Sequence, residues 1–173
     1  MRKKIAILGS TGSIGKSTLE VIKKNKKNFE IILLTANDNY KQLVHQAKKF
    51  KAKNVIINNY RFYAKVKYSL KKTKTKVYFG NISLNKIIKK KIDYTMSAVV
   101  GLAGLQPTID AIKISRTVAL ANKETIICGW PIISKLIKKY KTKIIPVDSE
   151  HFSIMELTKG INDNEVEEII ITA

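Results

Sequence analysis

Asp148 and Glu150 are the residues whose types and spacing could do the most chemistry in this sequence. In an extended chain, side chains two residues apart point to the same side and lie about 7 Å apart. Two such carboxylates could bind one Mg²⁺ or Mn²⁺, which take oxygen ligands and keep positions open for substrate oxygens. The segment also fits a helix N-terminus capped by Asp148 or Ser149, and capping is compatible with metal binding.

A glycine-rich segment, residues 9–15, could bind phosphate. It follows an apolar run and precedes a segment whose apolar residues have helical spacing. Glycines at a strand-to-helix junction permit a tight turn and let a phosphate approach the N–H groups of the helix N-terminus. Gly9, Gly12 and Gly15 form a one-residue variant of the dinucleotide-binding fingerprint G-x-G-x-x-G.

Two other interpretations of the glycine-rich segment stay open. Gly15, Lys16 and Ser17 match the tail of a nucleoside triphosphate P-loop. That motif needs glycine where this chain has Ser10, and it needs an acidic residue closing a later strand, whereas Asp93 stands at the start of its predicted strand. The other interpretation is a strand-to-helix turn without a ligand. The spacing favours the dinucleotide motif over both.

Asn122, Lys123 and Glu124 form a third candidate, at the point where a predicted strand gives way to a helix. In an open parallel sheet, ligands collect outside the carboxyl ends of the strands. The competing interpretation is a plain helix start, with Asn122 as the N-cap and Glu124 favourably placed against the helix dipole.

The elements that must position these residues alternate between strand and helix with short turns, which is typical of a parallel sheet covered on both faces. We therefore predict an α/β fold, Rossmann-like and doubly wound, with a mostly parallel sheet. Strands are predicted at Lys4–Leu8, Glu30–Thr35, Asn54–Ile57, Lys76–Phe79, Asp93–Ser97, Thr117–Leu120, Lys143–Val147 and Glu167–Ile171. Helices are predicted to begin near Ser13, Tyr40, Tyr60, Ser83, Leu105, Lys123 and Ser149.

Read together, these motifs resemble the 1-deoxy-D-xylulose 5-phosphate reductoisomerase family, whose members use NADPH and a divalent metal to make 2-C-methyl-D-erythritol 4-phosphate for isoprenoid synthesis. The resemblance is carried by the glycine-rich segment and by residues 100–108, 120–124 and 146–151, and it runs over essentially the whole chain. It implies an NADPH-binding domain at residues 1–147 and the start of a catalytic metal and substrate domain at residues 148–173. Family chains continue well past the counterpart of residue 173.

The same resemblance implies roles for individual residues. Implied cofactor contacts are Thr11, Gly12, Ser13, Ile14, Asn37, Asn39, Asn122 and Glu124. The implied metal ligands are Asp148 and Glu150, with a third carboxylate supplied from beyond residue 173. Lys123, Ser149 and Glu150 are the implied substrate contacts, and Lys123, Asp148 and Glu150 the catalytic residues. The expected cofactors are therefore NADPH and Mg²⁺ or Mn²⁺.

One segment departs from the family pattern. Members typically carry glycine, then lysine or arginine, then asparagine at the positions of Asn37, Asp38 and Asn39, where these residues hold the 2′-phosphate of NADPH. Asp38 replaces a cation with an anion, which would repel that phosphate and could accept hydrogen bonds from an unmodified ribose. Lys41 could replace the missing positive charge. The resemblance keeps NADPH as the expected cofactor.

Composition is typical of one globular domain, but the net charge of +20 would also suit a basic nucleic-acid-binding module. Arginine, which reads guanine and pairs with phosphate in a fork, occurs only at Arg2, Arg61 and Arg116. Lysine, isoleucine and asparagine are enriched together, as A/T-rich codons would produce. The composition therefore does not require a nucleic-acid partner, and we predict a cytoplasmic enzyme without nucleic-acid or membrane partners. The family resemblance implies a small sugar-phosphate substrate and a homodimer for the complete enzyme. Another NAD(P)-dependent dehydrogenase is the alternative within enzymes.

Overall fold

A computed structural model describes residues 1–170 of the chain. It contains seven strands: β1 (Lys3–Leu8), β2 (Phe29–Ala36), β3 (Asn54–Ile57), β4 (Lys76–Phe79), β5 (Ile92–Ser97), β6 (Ser115–Leu120) and β7 (Lys143–Pro146). The helices are α1 (Ser13–Lys24), α2 (Tyr40–Phe50), α3 (Tyr63–Leu70), α4 (Leu84–Ile87), α5 (Leu105–Ile114), α6 (Lys123–Tyr140) and α7 (Ser149–Leu157). The helix predicted near Tyr60 starts as a 3-10 turn, Tyr60–Phe62, before α3.

The strands form one sheet in the order β4-β3-β2-β1-β5-β6-β7, and every pair of neighbours is parallel. The order reverses between β1 and β5, because β2 to β4 extend from one side of β1 and β5 to β7 from the other. Connections leaving the carboxyl ends of β1 and β5 therefore diverge, and the crevice between them is where a parallel sheet of this kind binds ligands.

The core lies on both faces of the sheet, which confirms the doubly wound α/β prediction. Ile7 of β1 packs in a buried cluster with Leu19 of α1, whereas its neighbour Leu8 belongs to a second cluster with Ile112 of α5 and Ile133 of α6. Successive strand residues point to opposite faces, so a strand buried on both sides is apolar throughout. This continuity is why the apolar runs of the sequence predicted the strands.

The strand predicted at Glu167–Ile171 is wrong for the residues that the structure describes, since residues 167–170 have no strand conformation. Ile171 lies outside the described residues. Ile169 and Ile170 are 54% and 75% exposed, so they do not pack on the sheet. A β-branched run becomes a strand only where another strand pairs with its backbone, and none of the seven described strands pairs with residues 167–170.

The helices of residues 1–170 include none with the combination of length and apolar character that crossing a bilayer requires.

Candidate functional site

The loop after β1 is shaped by glycine at its two ends. Gly9 has a φ of +77°, and a Cβ on this residue would lie 2.7 Å from the carbonyl oxygen of Ala98, beyond β5. A Cβ on Gly15 would lie 2.4 Å from the carbonyl oxygen of Gly9, so α1 packs directly against the loop. Glycine is therefore required at both positions for the loop to cross the point where the strand order reverses.

The N-terminus of α1 lies at Gly12, the middle glycine of this loop, and no side chain caps it. Gly12 is the N-cap residue, and it supplies no side-chain hydrogen bond to the helix, whose first turn also lacks an acidic residue. Thr11 is half-buried, while Gly12 and Ser13 are exposed. Because the first N–H groups of a helix have no partner within it, this terminus can receive an anion.

Ser10 has a structural role rather than a ligand-binding one. It is fully buried, and its backbone N–H donates to the carbonyl oxygen of Thr35 at 2.9 Å. Its hydroxyl donates to Gln46 Oε1 at 2.8 Å, and Gln46 Nε2 donates back to the carbonyl oxygen of Ser10 at 2.8 Å. Gln46 thus anchors the loop to α2, a role that was not predicted from the sequence. The signal available was a glutamine on the otherwise apolar inner face of that helix, between Leu43 and Ala47.

The segment after β2 brings three polar residues to the carboxyl edge of the sheet. Asn37 Nδ2 donates to Asp38 Oδ2 at 2.6 Å, and Asn59, from the end of β3, donates to Asp38 Oδ1 at 2.6 Å. Asn39 caps α2 by accepting the N–H of Gln42 at 3.2 Å. The carboxylate of Asp38 is therefore held between the ends of two adjacent strands.

A cavity of about 910 Å³ lies beside this segment, at the carboxyl ends of β1 to β4. Its size suits a small-molecule site. Its walls come from those strand ends and from the chain after β5, and they include Leu8, Thr35, Asn37, Asn58, Phe79 and Gln106.

A second cavity, of about 180 Å³, joins residues from all three candidate motifs. Ile14 from the glycine-rich segment, Asn122, Lys123 and Glu124 from the start of α6, and Asp148 from the end of β7 all line it. These residues are far apart in the sequence. The parallel sheet brings them together because every motif follows the carboxyl end of a strand.

Asn122 is 4% exposed, and its whole side chain is engaged by the protein. Its Oδ1 accepts the N–H of Thr125 at 3.0 Å, which caps α6. Its Nδ2 donates to the carbonyl oxygens of Val99 at 2.6 Å and Gly101 at 2.7 Å. The residue therefore joins the start of α6 to the loop after β5, and this contact shapes the wall of the smaller cavity.

Lys123 and Glu150 form an exposed ion pair across this region, with Nζ 3.6 Å from Oε1. The other oxygen of Glu150 accepts the hydroxyl of Ser149 at 2.8 Å. The Ser149 hydroxyl, followed by the backbone N–H of Glu150 and the charge of Lys123, holds the pKa of the Glu150 carboxyl below its usual range. Glu150 is thus an ionised oxygen donor, as a metal ligand must be.

Asp148 caps α7 and keeps one oxygen unused. Its Oδ1 accepts the backbone N–H of His151 at 2.9 Å and lies 2.6 Å from Nδ1 of the same residue. Burial raises the pKa of the Asp148 carboxyl, but the hydrogen bonds and charge of His151 outweigh it, so the pKa lies below its usual range. Asp148 Oδ2 is buried without a hydrogen-bond partner among the described residues.

An unpaired buried carboxylate oxygen is costly unless a cation or a donor compensates it. The orphaned Oδ2 of Asp148 therefore fits a divalent metal, which would supply the missing charge. Residues 1–170 nevertheless contain no group of three or more histidine, cysteine or acidic side chains that could hold a metal. Asp148 and Glu150 are thus suited to part of a metal site.

The cap formed by Asp148 should make the stability of the chain depend on pH. Asp148→Ala should lower the free energy of unfolding by about 1 kcal/mol at neutral pH, because the N–H of His151 loses its acceptor. Since the pKa of Asp148 is lower in the folded than in the unfolded chain, its contribution is complete above the unfolded value, about 4, and is lost as the pH falls through the folded value. Thermal unfolding of both proteins between pH 7 and pH 3 measures this difference, and a constant difference down to pH 3 would contradict the assignment.

The parallel sheet, the glycine-rich loop at its reversal point and the open N-terminus of α1 define a Rossmann-like dinucleotide-binding domain. The sequence model of the family described as 1-deoxy-D-xylulose 5-phosphate reductoisomerase matches residues 5–129, and the chain belongs to this family. The resemblance of the sequence motifs is therefore confirmed.

Two curated relatives, both described as 1-deoxy-D-xylulose 5-phosphate reductoisomerase, illustrate the match. The protein of Pelagibacter ubique (strain HTCC1062) is 54% identical over 173 residues, which are 99% of this chain and 45% of the relative. That of Bacteroides fragilis (strain YCH46) is 43% identical over the same shares. The chain thus spans about half the length of the curated relatives that it matches.

Solved structures give the same result. The reductoisomerase from Zymomonas mobilis in complex with NADPH superposes with a TM-score of 0.82 at 37% identity, covering 87% of this chain and 40% of that one. A DOX-P reductoisomerase in complex with NADPH, fosmidomycin and magnesium gives a TM-score of 0.80 at 32% identity, covering 86% of this chain and 37% of that one.

Proposed function

We propose that this chain is the dinucleotide-binding part of an enzyme that rearranges and reduces 1-deoxy-D-xylulose 5-phosphate to 2-C-methyl-D-erythritol 4-phosphate. The observation that carries the proposal is the smaller cavity, where Ile14, Asn122, Lys123, Glu124 and Asp148 meet. In this cavity the glycine-rich loop lies beside the carboxylate of Asp148, whose Oδ2 has no hydrogen-bond partner among the described residues. An enzyme that combines metal and hydride chemistry requires such an arrangement.

The dinucleotide would lie along the carboxyl edge of the sheet. The N–H groups at the start of α1, with Thr11, Gly12, Ser13 and Ile14 around them, would hold its pyrophosphate. Asn122 fixes the loop after β5, and Glu124 lies beside it in the wall of the smaller cavity, where the nicotinamide end would lie. The bound cofactor supplies the hydride, and NADPH is the one present in the solved relatives.

Asp148 and Glu150 would hold Mg²⁺ or Mn²⁺, and Asp148 would do so through its unused oxygen. A metal at this site supplies positive charge that stabilises anionic oxygens of the substrate. Lys123, which pairs with Glu150 at 3.6 Å, would donate hydrogen bonds to hydroxyls of the sugar phosphate, and the Ser149 hydroxyl would contact the same substrate. We assign these contacts to substrate binding and orientation.

We propose the remaining features of the complete enzyme by analogy with the family. Residues 1–147 form the cofactor domain and residues 148–173 begin the part that binds metal and substrate. The complete enzyme would be a cytoplasmic homodimer, and the third metal ligand would come from a segment beyond residue 173.

A cofactor titration tests this proposal. NADPH or NADH should bind to the 173-residue chain and enhance or quench nucleotide fluorescence, and binding should persist as the salt concentration rises. A salt titration of DNA binding measured beside it separates the alternatives, because binding through lysine–phosphate contacts weakens steeply with salt. Salt-sensitive DNA binding without nucleotide binding would support a basic nucleic-acid-binding module instead. Nucleotide binding without turnover of 1-deoxy-D-xylulose 5-phosphate by the completed enzyme would favour another dehydrogenase.

A further inference from the structure

We propose that Gln46 is a positioning residue for dinucleotide binding. It holds Ser10, and through Ser10 it fixes the N-terminus of α1 where the pyrophosphate of the cofactor would bind. The inference rests on the proposed function, because it concerns the loop that would hold that pyrophosphate. It assigns part of the cofactor affinity, and not only part of the stability, to a buried side chain of α2.

Gln46 is a buried amide on the apolar face of α2. It is 5% exposed, and its neighbours Leu43 and Ala47 are fully buried in the core cluster that also contains Leu19 of α1. A buried amide loses its hydrogen bonds to water, which is costly unless protein groups replace them. An apolar side chain of similar length would avoid this cost, so packing alone does not account for glutamine at position 46.

Both ends of the Gln46 amide bind the same residue. Its Oε1 accepts the hydroxyl of Ser10 and its Nε2 donates to the carbonyl oxygen of Ser10, each at 2.8 Å. Two hydrogen bonds between one pair of residues fix both the distance and the orientation of Ser10 relative to α2. Thr35, near the end of β2, accepts the N–H of Gly9 through Oγ1 and the N–H of Ser10 through its carbonyl oxygen, both at 2.9 Å. The start of the glycine-rich loop is therefore fixed to β2 and α2 together.

The position of Ser10 determines the position of α1 through backbone contacts. A Cβ on Gly15 would lie 2.6 Å from the Cα of Ser10, so the first turn of α1 lies directly against the Ser10 backbone. The N–H of Gly12 donates to the carbonyl oxygen of Gly9 at 3.1 Å, which ties the N-cap of α1 to the same end of the loop. A shift of Ser10 would therefore shift the N–H groups at the start of α1.

Gln46 would act on the cofactor only through Ser10. Within residues 1–170, neither of these two residues is among those that line the two cavities at the carboxyl edge of the sheet. N–H groups bind an anion well only when they point at it, because a hydrogen bond weakens steeply as its angle departs from linear. Loss of the Gln46 contacts should therefore weaken the binding of NADPH roughly tenfold, which is less than the hundredfold that a misplacement of about 1 Å can cost in catalysis.

Titration of the 173-residue chain with NADPH, monitored by nucleotide fluorescence, tests the inference. Gln46→Met keeps the length of the side chain without its amide, and it should weaken binding roughly tenfold. Ser10→Ala removes only the hydroxyl, so its loss of affinity should be smaller. Circular dichroism and urea unfolding measure whether each variant is folded under the conditions of the titration.

Ser115→Ala is the matched control for a buried hydroxyl. Ser115 is also fully buried, and its hydroxyl lies 2.6 Å from that of Thr95, but it begins β6 at the opposite edge of the sheet. This variant should lose stability and keep the NADPH affinity of wild type. Two-dimensional ¹H–¹⁵N NMR of the chain without cofactor adds a signature of position. The N–H signals of residues 12–14 should shift in Gln46→Met and stay in place in Ser115→Ala.

The outcomes separate this inference from the proposed function. Unchanged NADPH affinity in the folded Gln46→Met and Ser10→Ala variants, or lost affinity with unmoved N–H signals, would overturn the inference and leave the proposed function intact. An equal loss of affinity in Ser115→Ala would also overturn it, since general destabilisation would then explain the effect. Ser10→Ala decides alone if Gln46→Met fails to fold. Failure of the wild-type chain to bind NADPH would overturn the inference together with the function on which it rests.

Discussion

Gly15→Ala should lower the free energy of unfolding by about 2 kcal/mol. This is the opposite of the usual effect, because replacing glycine by alanine within a helix normally stabilises it by up to about 1 kcal/mol. The new Cβ would lie 2.4 Å from the carbonyl oxygen of Gly9 and 2.6 Å from the Cα of Ser10. Both are backbone atoms, so the clash cannot be relieved by rotating a side chain. Ser10 cannot move away either, because Thr35 and Gln46 hold it.

The same change should weaken dinucleotide binding by more than about tenfold, since the N–H groups at the start of α1 move with the helix. Urea unfolding and a nucleotide titration measure the two effects. Gly12→Ala is the control for folding, because its Cβ would lie 3.4 Å from the carbonyl oxygen of Gly9, an ordinary contact, and its φ is −74°. It should leave stability within about 0.5 kcal/mol of wild type. Equal stabilities for the two variants would show that the loop can adapt to a side chain at position 15.

The fold could be predicted from the sequence because parallel strands buried on both faces are continuous apolar runs, as in residues 5–8 and 31–34. The same reasoning failed at residues 167–170, which have the strand composition without a neighbouring strand. Strand pairing is a property of two segments, so composition alone cannot supply the second. The helix predicted near Tyr60 begins there as a 3-10 turn and becomes α-helical only at Tyr63. The reason is local, because the side chain of Asn59 accepts the N–H of Arg61 and so stabilises the tighter turn.

The candidate site was predictable where a motif follows a strand, because the parallel sheet brings all such positions to one edge. Its supporting contacts were not. Gln46 reaches Ser10 only because α2 packs beside the loop, and Asn59 reaches Asp38 only through the register of β2 and β3. Capping by Asp148, one of the two interpretations of that segment, is confirmed by the hydrogen bond from His151. The orphaned Oδ2 of the same residue required coordinates to detect, since burial of a single atom leaves no mark on the sequence.

The 173-residue chain alone should bind a nicotinamide dinucleotide and catalyse no measurable reduction of 1-deoxy-D-xylulose 5-phosphate. Residues 1–170 contain no group of three metal-binding side chains, and two carboxylates seldom hold Mg²⁺ or Mn²⁺ without further ligands. Joining this chain to the remaining part of the Pelagibacter ubique relative, with which it is 54% identical, should restore turnover. Oxidation of the nucleotide in the presence of substrate and Mn²⁺ measures the rate, with NADH and NADPH each tested as the reductant.

In that chimaera, Asp148→Asn should lower kcat/KM by more than about a hundredfold. Removing a residue that only orients a metal ligand already lowers activity by up to about a hundredfold, and removing the ligand itself should lower it further. Asparagine still caps a helix, so α7 should stay folded and the loss should be one of metal affinity, seen as a higher Mn²⁺ concentration for half-maximal rate. Glu156→Gln is the matched control, since it makes the same carboxylate-to-amide change on α7 at a residue paired with Lys159, and it should leave the rate unchanged.

Robust turnover by the isolated chain would contradict an incomplete metal site. An unchanged Mn²⁺ requirement in Asp148→Asn would show that its unused oxygen is not a metal ligand, and the carboxylate would then serve only as the cap of α7.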